Sequence, residues 1–140
     1  MSNAATEWIR LGYGAMSRLT SPPALSPGIA DDFVLDDRRS GGANFGTVDA
    51  SGWAEFVSSI WDVSSGHVQF EMREIVATRD QRLAAYIEVL TYGGGETSES
   101  IMCVSLDPGL QMLERLVIFD LEDLGGAIAE LDRLYAQVAD

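Results

Sequence analysis

The chain contains no lysine. Its nine cations are all arginine, set against 22 carboxylates, for a formal net charge of −13. So acidic a chain repels a phosphate backbone. The arginines are scattered, with Arg38-Arg39 the only adjacent pair, and nucleic acid is therefore not expected as a partner. Histidine and cysteine are almost missing too. His67 and Cys103 each stand alone, which excludes an intrachain disulfide and a zinc site built from several Cys and His ligands of one chain. No metal and no cofactor is expected. Apolar runs are short, as in Phe33-Val34-Leu35 and Leu116-Val117-Ile118-Phe119, against the roughly 20 residues that cross a bilayer. No segment joins a charged start, an apolar middle and a small-residue cleavage site. Neither a membrane nor secretion is indicated, and a cytoplasmic location is expected. The missing lysine, beside abundant Ala, Gly and Asp, points to a GC-rich bacterial genome.

Catalytic signatures are equally sparse. There is no Gly-x-Ser-x-Gly element, and Cys103 lies within an apolar strand pattern, which means packing more often than reactivity. Gly12-Tyr13-Gly14 and Gly93-Gly94-Gly95 lack the strand-loop-helix context of a phosphate cradle.

What is present is a pattern of elements. A chain of 140 residues makes one domain. Ser2-Asn3-Ala4 reads as the scar of a cleaved tag, so residues 1–4 are set apart from a single domain over 5–140. Thr6 to Leu19 reads as a short helix capped by Thr6, with Trp8, Leu11, Ala15 and Leu19 on one face. Ser21-Pro22-Pro23 ends it. Phe33 to Asp37 reads as a short strand and Arg38 to Phe45 as a glycine-rich turn. Asp49 is the expected N-cap of a second helix, with Val48 and Trp53 spaced as a hydrophobic staple. Trp53, Phe56, Val57, Ile60 and Trp61 share its apolar face, which ends at Ser64-Ser65-Gly66. Four long strands are then expected near 67–78, 82–92, 96–106 and 110–119. Their turns are Arg79-Asp80-Gln81, Gly93-Gly94-Gly95 and Asp107-Pro108-Gly109. Strands of that length are expected to carry bulges and to curl the sheet. Asp120 is expected to cap a last helix with a buried stripe of Leu121, Leu124, Ile128, Leu131, Tyr135 and Val138.

The stretch ADDFVLDD, the Trp53 helix and the run ERLVIFDLEDLGGAIAELDRLYA, in this element order, resemble the nuclear-transport-factor-two-like superfamily, and within it the SnoaL-like (polyketide-cyclase-like) branch. The resemblance covers roughly residues 6–138. It implies an α+β fold, a cystatin-like cone or α+β barrel in which a curved, mostly antiparallel sheet wraps helices and leaves a pocket at its open end. It also implies a homodimer through the outer sheet face. Members of the superfamily include isomerases, cyclases, dehydratases and non-catalytic domains, so the fold does not select a function. The first helix is shorter than the resemblance implies. A more open pocket, or a wall supplied by an upstream domain, follows.

Candidate residues come from strand parity. In ADDFVLDD, Phe33, Leu35 and Asp37 share one face and Val34 and Asp36 the other, so the four aspartates cannot converge on one ion. They are solvated strand ends, with Asp37 or Arg38, paired, as the alternative at the cone mouth. His67, Gln69, Glu71 and Arg73 form one polar row facing solvent or a dimer partner, unless a bulge turns His67 or Glu71 inward as a proton shuttle. A single histidine excludes a two-histidine dehydratase. A three-residue loop at Gly93–Gly95 places Glu88 opposite Ser100 and Tyr86 opposite Met102. One face then holds Tyr86, Glu88, Leu90, Ser100, Met102 and Val104; the other holds Leu83, Ala85, Ile87, Val89, Ile101 and Cys103. Which of the two points inward stays open. The catalytic candidates are Glu88, Tyr86 and His67, with burial raising the Glu88 pKa towards that of a useful base. The ligand-binding candidates are Trp53, Trp61, Arg73, Tyr86, Glu88, Met102 and Asp37.

Three functions fit. The favoured one is a non-catalytic domain that binds or senses a small apolar or aromatic molecule. The alternatives are an isomerase- or cyclase-type enzyme transferring a proton on a planar apolar substrate, and a dimerisation module of a larger regulatory chain.

Overall fold

Turn chemistry sets the meander. In the computed structural model, which describes residues 2–16, 28–40, 46–63 and 68–138, four antiparallel strands follow one another: β3 (Gln69–Arg79), β4 (Leu83–Thr91), β5 (Thr97–Leu106) and β6 (Leu113–Asp120). The β4–β5 hairpin closes over the three glycines. The Tyr92 amide donates to the Glu96 carbonyl at 2.8 Å, and Gly95 takes a φ of 86° that costs a glycine nothing in side-chain clash. That loop fixes the expected register, Tyr86 opposite Met102 and Glu88 opposite Ser100. At the next turn the Asp107 carboxylate accepts the Gln111 and Met112 amides at 2.9 and 3.0 Å, and the left-handed residue is Leu110 (φ 60°).

The sheet is completed from the N-terminal part of the chain. β1 (Ile29–Asp37) runs parallel to β6, and the short β2 (Thr47–Asp49) pairs antiparallel with β1. The order is β2-β1-β6-β5-β4-β3, an open, curved, mixed sheet with β2 and β3 at its edges. β1 is longer than expected. Its pairing slips between Ile29 and Val34, so Asp31 and Asp32 are exposed residues of a bulged strand and not a preceding turn. The expected bulges also occur in β3, where pairing shifts between Met72 and Glu74 and again between Ile75 and Ala77. β2 was not anticipated; three residues are too few to show a period.

Pleating gives the sheet two apolar faces. The inner face carries Phe33, Leu35, Ala84, Tyr86, Met102, Val104, Leu116 and Ile118 and packs against α1 (Ala4–Met16) and α2 (Ala50–Val63). The outer face carries Leu83, Ala85, Ile101, Cys103, Val117 and Phe119 and packs against α3 (Leu124–Val138). α2 begins as the sequence requires: the Asp49 carboxylate accepts the Gly52 amide at 2.9 Å, and Val48 and Trp53 both pack into the inner core.

Two helices differ from expectation. The N-cap of α1 is Asn3, not Thr6, so the segment set apart as a scar contributes to the fold. Asn3 Oδ1 accepts the Thr6 amide at 2.9 Å, Thr6 Oγ1 accepts the Asn3 amide at 2.9 Å, and Asn3 Nδ2 donates to the Asp80 and Leu83 carbonyls. Gln81 satisfies the Ala4 and Ala5 amides, so each donor of the first turn has a partner. With the start three residues earlier, the buried line becomes Ala5, Trp8, Ile9 and Tyr13, while Leu11 is 75% exposed. α3 is capped by Asp123, whose carboxylate accepts the Gly126 amide at 3.1 Å. Its buried side is Ala127, Glu130, Leu131 and Leu134; Leu121, Leu124 and Tyr135 are exposed. A buried glutamate rotated the apparent stripe. Glu130 is held by Arg38 and Arg133, and Arg38 lies 5.7 Å from the Phe119 ring centroid.

Candidate functional site

Three rows of paired residues cross the inner face and change from apolar to polar along it. Ala84, Val104, Leu116 and Leu35 make the first row. Tyr86, Met102, Ile118 and Asp37 make the second. Met72, Glu88, Ser100 and Asp120 make the third. The face left undecided by the sequence is thereby settled: Tyr86, Glu88, Ser100 and Met102 point towards α1 and α2.

Tyr13 of α1 reaches down onto this polar end. Its hydroxyl donates to Glu88 Oε2 and lies 3.0 Å from the Tyr86 hydroxyl, with the two rings edge to face at 5.8 Å. Burial pushes the Glu88 carboxyl from its ordinary 4.5 up to about 7, against the Tyr13 hydrogen bond and the Arg39 charge, which pull it down. Burial, reinforced by the Glu88 charge, also raises both phenols, so Tyr13 and Tyr86 keep their protons.

At the β1 side of the same end, Asp37 is fully buried and grips Arg39 through Nε and Nη2 at 2.9 and 2.7 Å. Asp120 accepts the amide and hydroxyl of Ser40, both at 2.8 Å. Arg39 acts electrostatically on both Asp120 and Glu88. Asp37 is thus buried and not a solvated strand end; it is paired, as the alternative reading had it, with Arg39 as its partner. Arg38 turns to the outer face and binds Asp36 and Glu130.

Two polar atoms in the third row are not engaged by any described residue: Glu88 Oε1 and Ser100 Oγ. Ser100 is only 5% exposed. Among the described residues neither has a side-chain hydrogen bond or ion pair beyond those given above, and no fully buried side-chain polar atom lacks a partner. Both atoms must therefore keep some surface, and they belong to residues paired directly across β4 and β5.

The other candidates separate cleanly. Trp53 stacks on Phe33 at 5.0 Å and, with Met102, belongs to the inner core. Arg73 falls at the β3 bulge and pairs with Glu99. Glu99 is two residues from the outward-facing Ile101, which puts Arg73 on the outer side, away from Glu88. That corrects its assignment to the site. His67 lies outside the described residues, as does the side chain of Trp61. Tyr13 and Arg39 were missed, and Ser100 was placed on the Glu88 face without being named a candidate. Tyr13 is four residues after Ile9, and that spacing could have found it once α1 was started at Ala4. Cys103 donates to the Ala127 carbonyl, and burial pushes its thiol up to about 12, so it packs and does not attack. Among the described residues no group of three His, Cys, Asp or Glu side chains could hold a metal, and no helix is long and apolar enough to cross a membrane.

No protein-family model matches the chain, and no curated protein matches it in sequence. Similarity appears in solved structures. A protein of unknown function with a cystatin-like fold from Methylobium petroleophilum matches with a TM-score of 0.64 and 14% identity, covering 83% of this chain and 74% of that one. The Δ5-3-ketosteroid isomerase of a Mycobacterium species matches with a TM-score of 0.61 and 15% identity, covering 87% of this chain and 96% of that one. A computationally designed 17-OHP binder matches with a TM-score of 0.62 and 15% identity, over 89% and 95% of the two chains. The chain thus has the cystatin-like, NTF2-like fold that its strand and turn pattern resembles.

Proposed function

We propose that the domain binds a small, largely apolar molecule on the inner sheet face, with Trp53, Phe33 and Met102 contributing apolar wall and the Tyr13–Glu88–Tyr86 cluster the polar end. One observation carries this reading: a carboxylate set among aromatic side chains whose second oxygen has no partner among the described residues. Leaving such an oxygen unmet costs stability unless something else meets it. The likeness to a designed steroid binder and to a steroid isomerase supports the capacity of the fold for flat apolar ligands. A thermal-shift screen of aromatic and steroid-like compounds tests it. At about a hundredfold excess over Kd a hit stabilises by about 2.7 kcal/mol, which moves the melting temperature by several degrees. No stabilisation by any compound of either class overturns the reading.

The second reading is proton transfer on a planar substrate. It is favoured by the position of the Glu88 pKa, about 7, where a carboxylate is both a competent base near neutral pH and easily reprotonated. It predicts that Glu88→Gln lowers turnover by about 10²-fold or more while the circular dichroism spectrum is unchanged. Turnover that survives the substitution excludes Glu88 as the base. The reading as a dimerisation module draws less support, because α3 already covers the outer sheet face that a dimer of this kind would use.

A further inference from the structure

Resting on the binding reading above, the hydrogen-bond inventory of the site specifies what kind of group the ligand must bring. Tyr13 has one hydroxyl proton, and it goes to Glu88 Oε2. The Tyr13–Tyr86 contact at 3.0 Å must then use the proton of Tyr86. Both phenol protons are spent inside the cluster. What remains uncommitted is Glu88 Oε1, a lone pair of Tyr86 and the hydroxyl of Ser100, a residue 5% exposed. Two of these three accept only. A ligand carbonyl placed there would set an acceptor against acceptors, a mismatch that costs more than an ordinary hydrogen bond gains.

We infer that the ligand presents a hydrogen-bond donor, a hydroxyl or an amine N–H, to Glu88 Oε1, and that Ser100 Oγ is its second contact and a specificity-determining residue. The charges around Glu88 agree. Tyr13 faces it from α1, Tyr86 from its own strand, Met72 from β3 and Ser100 from β5. Among the described residues the cation that acts on Glu88 is Arg39, which is already bound by Asp37 at 2.7 Å and also feels the charge of Asp120. A ligand carboxylate would meet more negative than positive charge there, so an anion is disfavoured. Protonation of Glu88 would supply a donor and relax the preference.

The experiment compares alcohol and ketone of identical skeleton: 1-(2-naphthyl)ethanol against 2-acetylnaphthalene, and a 3-hydroxy steroid against its 3-keto counterpart, by calorimetry. At about pH 8.5 the alcohol of each pair binds about tenfold more tightly; at about pH 5.5, with Glu88 protonated, the preference shrinks. Ser100→Ala weakens the alcohol by several-fold and leaves the ketone nearly unchanged. Glu88→Gln, which carries an acceptor and a donor at every pH, removes the pH dependence. Ketone binding equal to or tighter than alcohol at the higher pH, or a preference unchanged in both variants, overturns this inference alone. Binding by none of the four probes overturns it together with the binding function it rests on.

Discussion

Replacing Glu130 by alanine should cost the domain about 3 kcal/mol of unfolding free energy. The Glu130 side chain is 3% exposed and receives Arg38 at 2.9 and 3.3 Å and Arg133 Nε at 2.9 Å, while Arg38 also holds Asp36 at 2.8 Å. Burial alone would raise the Glu130 pKa, but the hydrogen bonds from Arg133 and Arg38 outweigh it and hold the carboxyl below its ordinary value. Breaking a buried pair costs about 3–5 kcal/mol when the surviving charge is trapped. Here the survivors, Arg38 and Arg133, are 39% and 44% exposed and regain water, which places the loss at the lower end. In a domain of this size about 3 kcal/mol lowers the melting temperature by roughly 10 °C. Arg133→Ala, on the exposed side, should cost less than about 1 kcal/mol. Urea unfolding of the two variants checks the difference. A Glu130→Ala midpoint equal to that of the unsubstituted protein would mean that the link between β1 and α3 contributes nothing.

The second large effect is a stability that falls as pH rises. In the unfolded chain Glu88 releases its proton near 4.5; in the folded domain it holds it to about 7. Between those values the folded state binds more protons, so raising the pH favours unfolding. Stability supported by the neutral carboxyl is present below about 4.5, declines through the interval and is lost above about 7. Each unit corresponds to about 1.4 kcal/mol, so the whole decline from 4.5 to about 7 is about 3–4 kcal/mol. Other carboxylates also titrate in a chain of net charge −13, and their repulsion changes over the same range. The quantity to measure is therefore the difference between the unsubstituted protein and Glu88→Gln, whose amide can still accept from Tyr13. Glu88→Gln should gain on the parent from about pH 4.5 to 7 and run parallel to it above. A difference that stays flat across the range would show that Glu88 is not held neutral by its surroundings. Glu130 works with the opposite sign, since its lowered pKa contributes stability above its unfolded value and loses it in acid.

Turns and alternation made much of the fold legible. Three consecutive glycines between long alternating strands left one economical hairpin, and from it the register that puts Glu88 beside Ser100 followed by counting. Asp49, Val48 and Trp53 identified the start of α2 because a cap and a staple are local devices. What failed depends on contacts distant in sequence. Asn3 looks like filler until Asp80 and Leu83 offer it carbonyls 77 and 80 residues away. Glu130 reads as the solvent side of α3 unless Arg38 comes to meet it. Arg73 stands on the outer side with Glu71, as its place in the polar row of β3 implied, so it was the ligand-binding assignment, not the parity, that failed. Of the residues that gather on the inner face, Glu88, Tyr86, Met102, Trp53 and Asp37 were named as candidates from parity and composition. Tyr13 and Arg39 were not, since nothing local says that α1 lies over β4 or that Asp37 turns back to its second neighbour.

The parallel contact of β1 with β6 has a kinetic side. The meander can assemble from neighbouring hairpins as it is made, but Leu35 meets Leu116 and Asp37 meets Ile118 only once some 80 further residues exist. Such sequence-distant pairing slows closure. On the ribosome the β1 segment, with Phe33 and Leu35 bare, must wait for the last quarter of the chain. Its four aspartates give that waiting stretch a charge that discourages it from finding another copy of itself first.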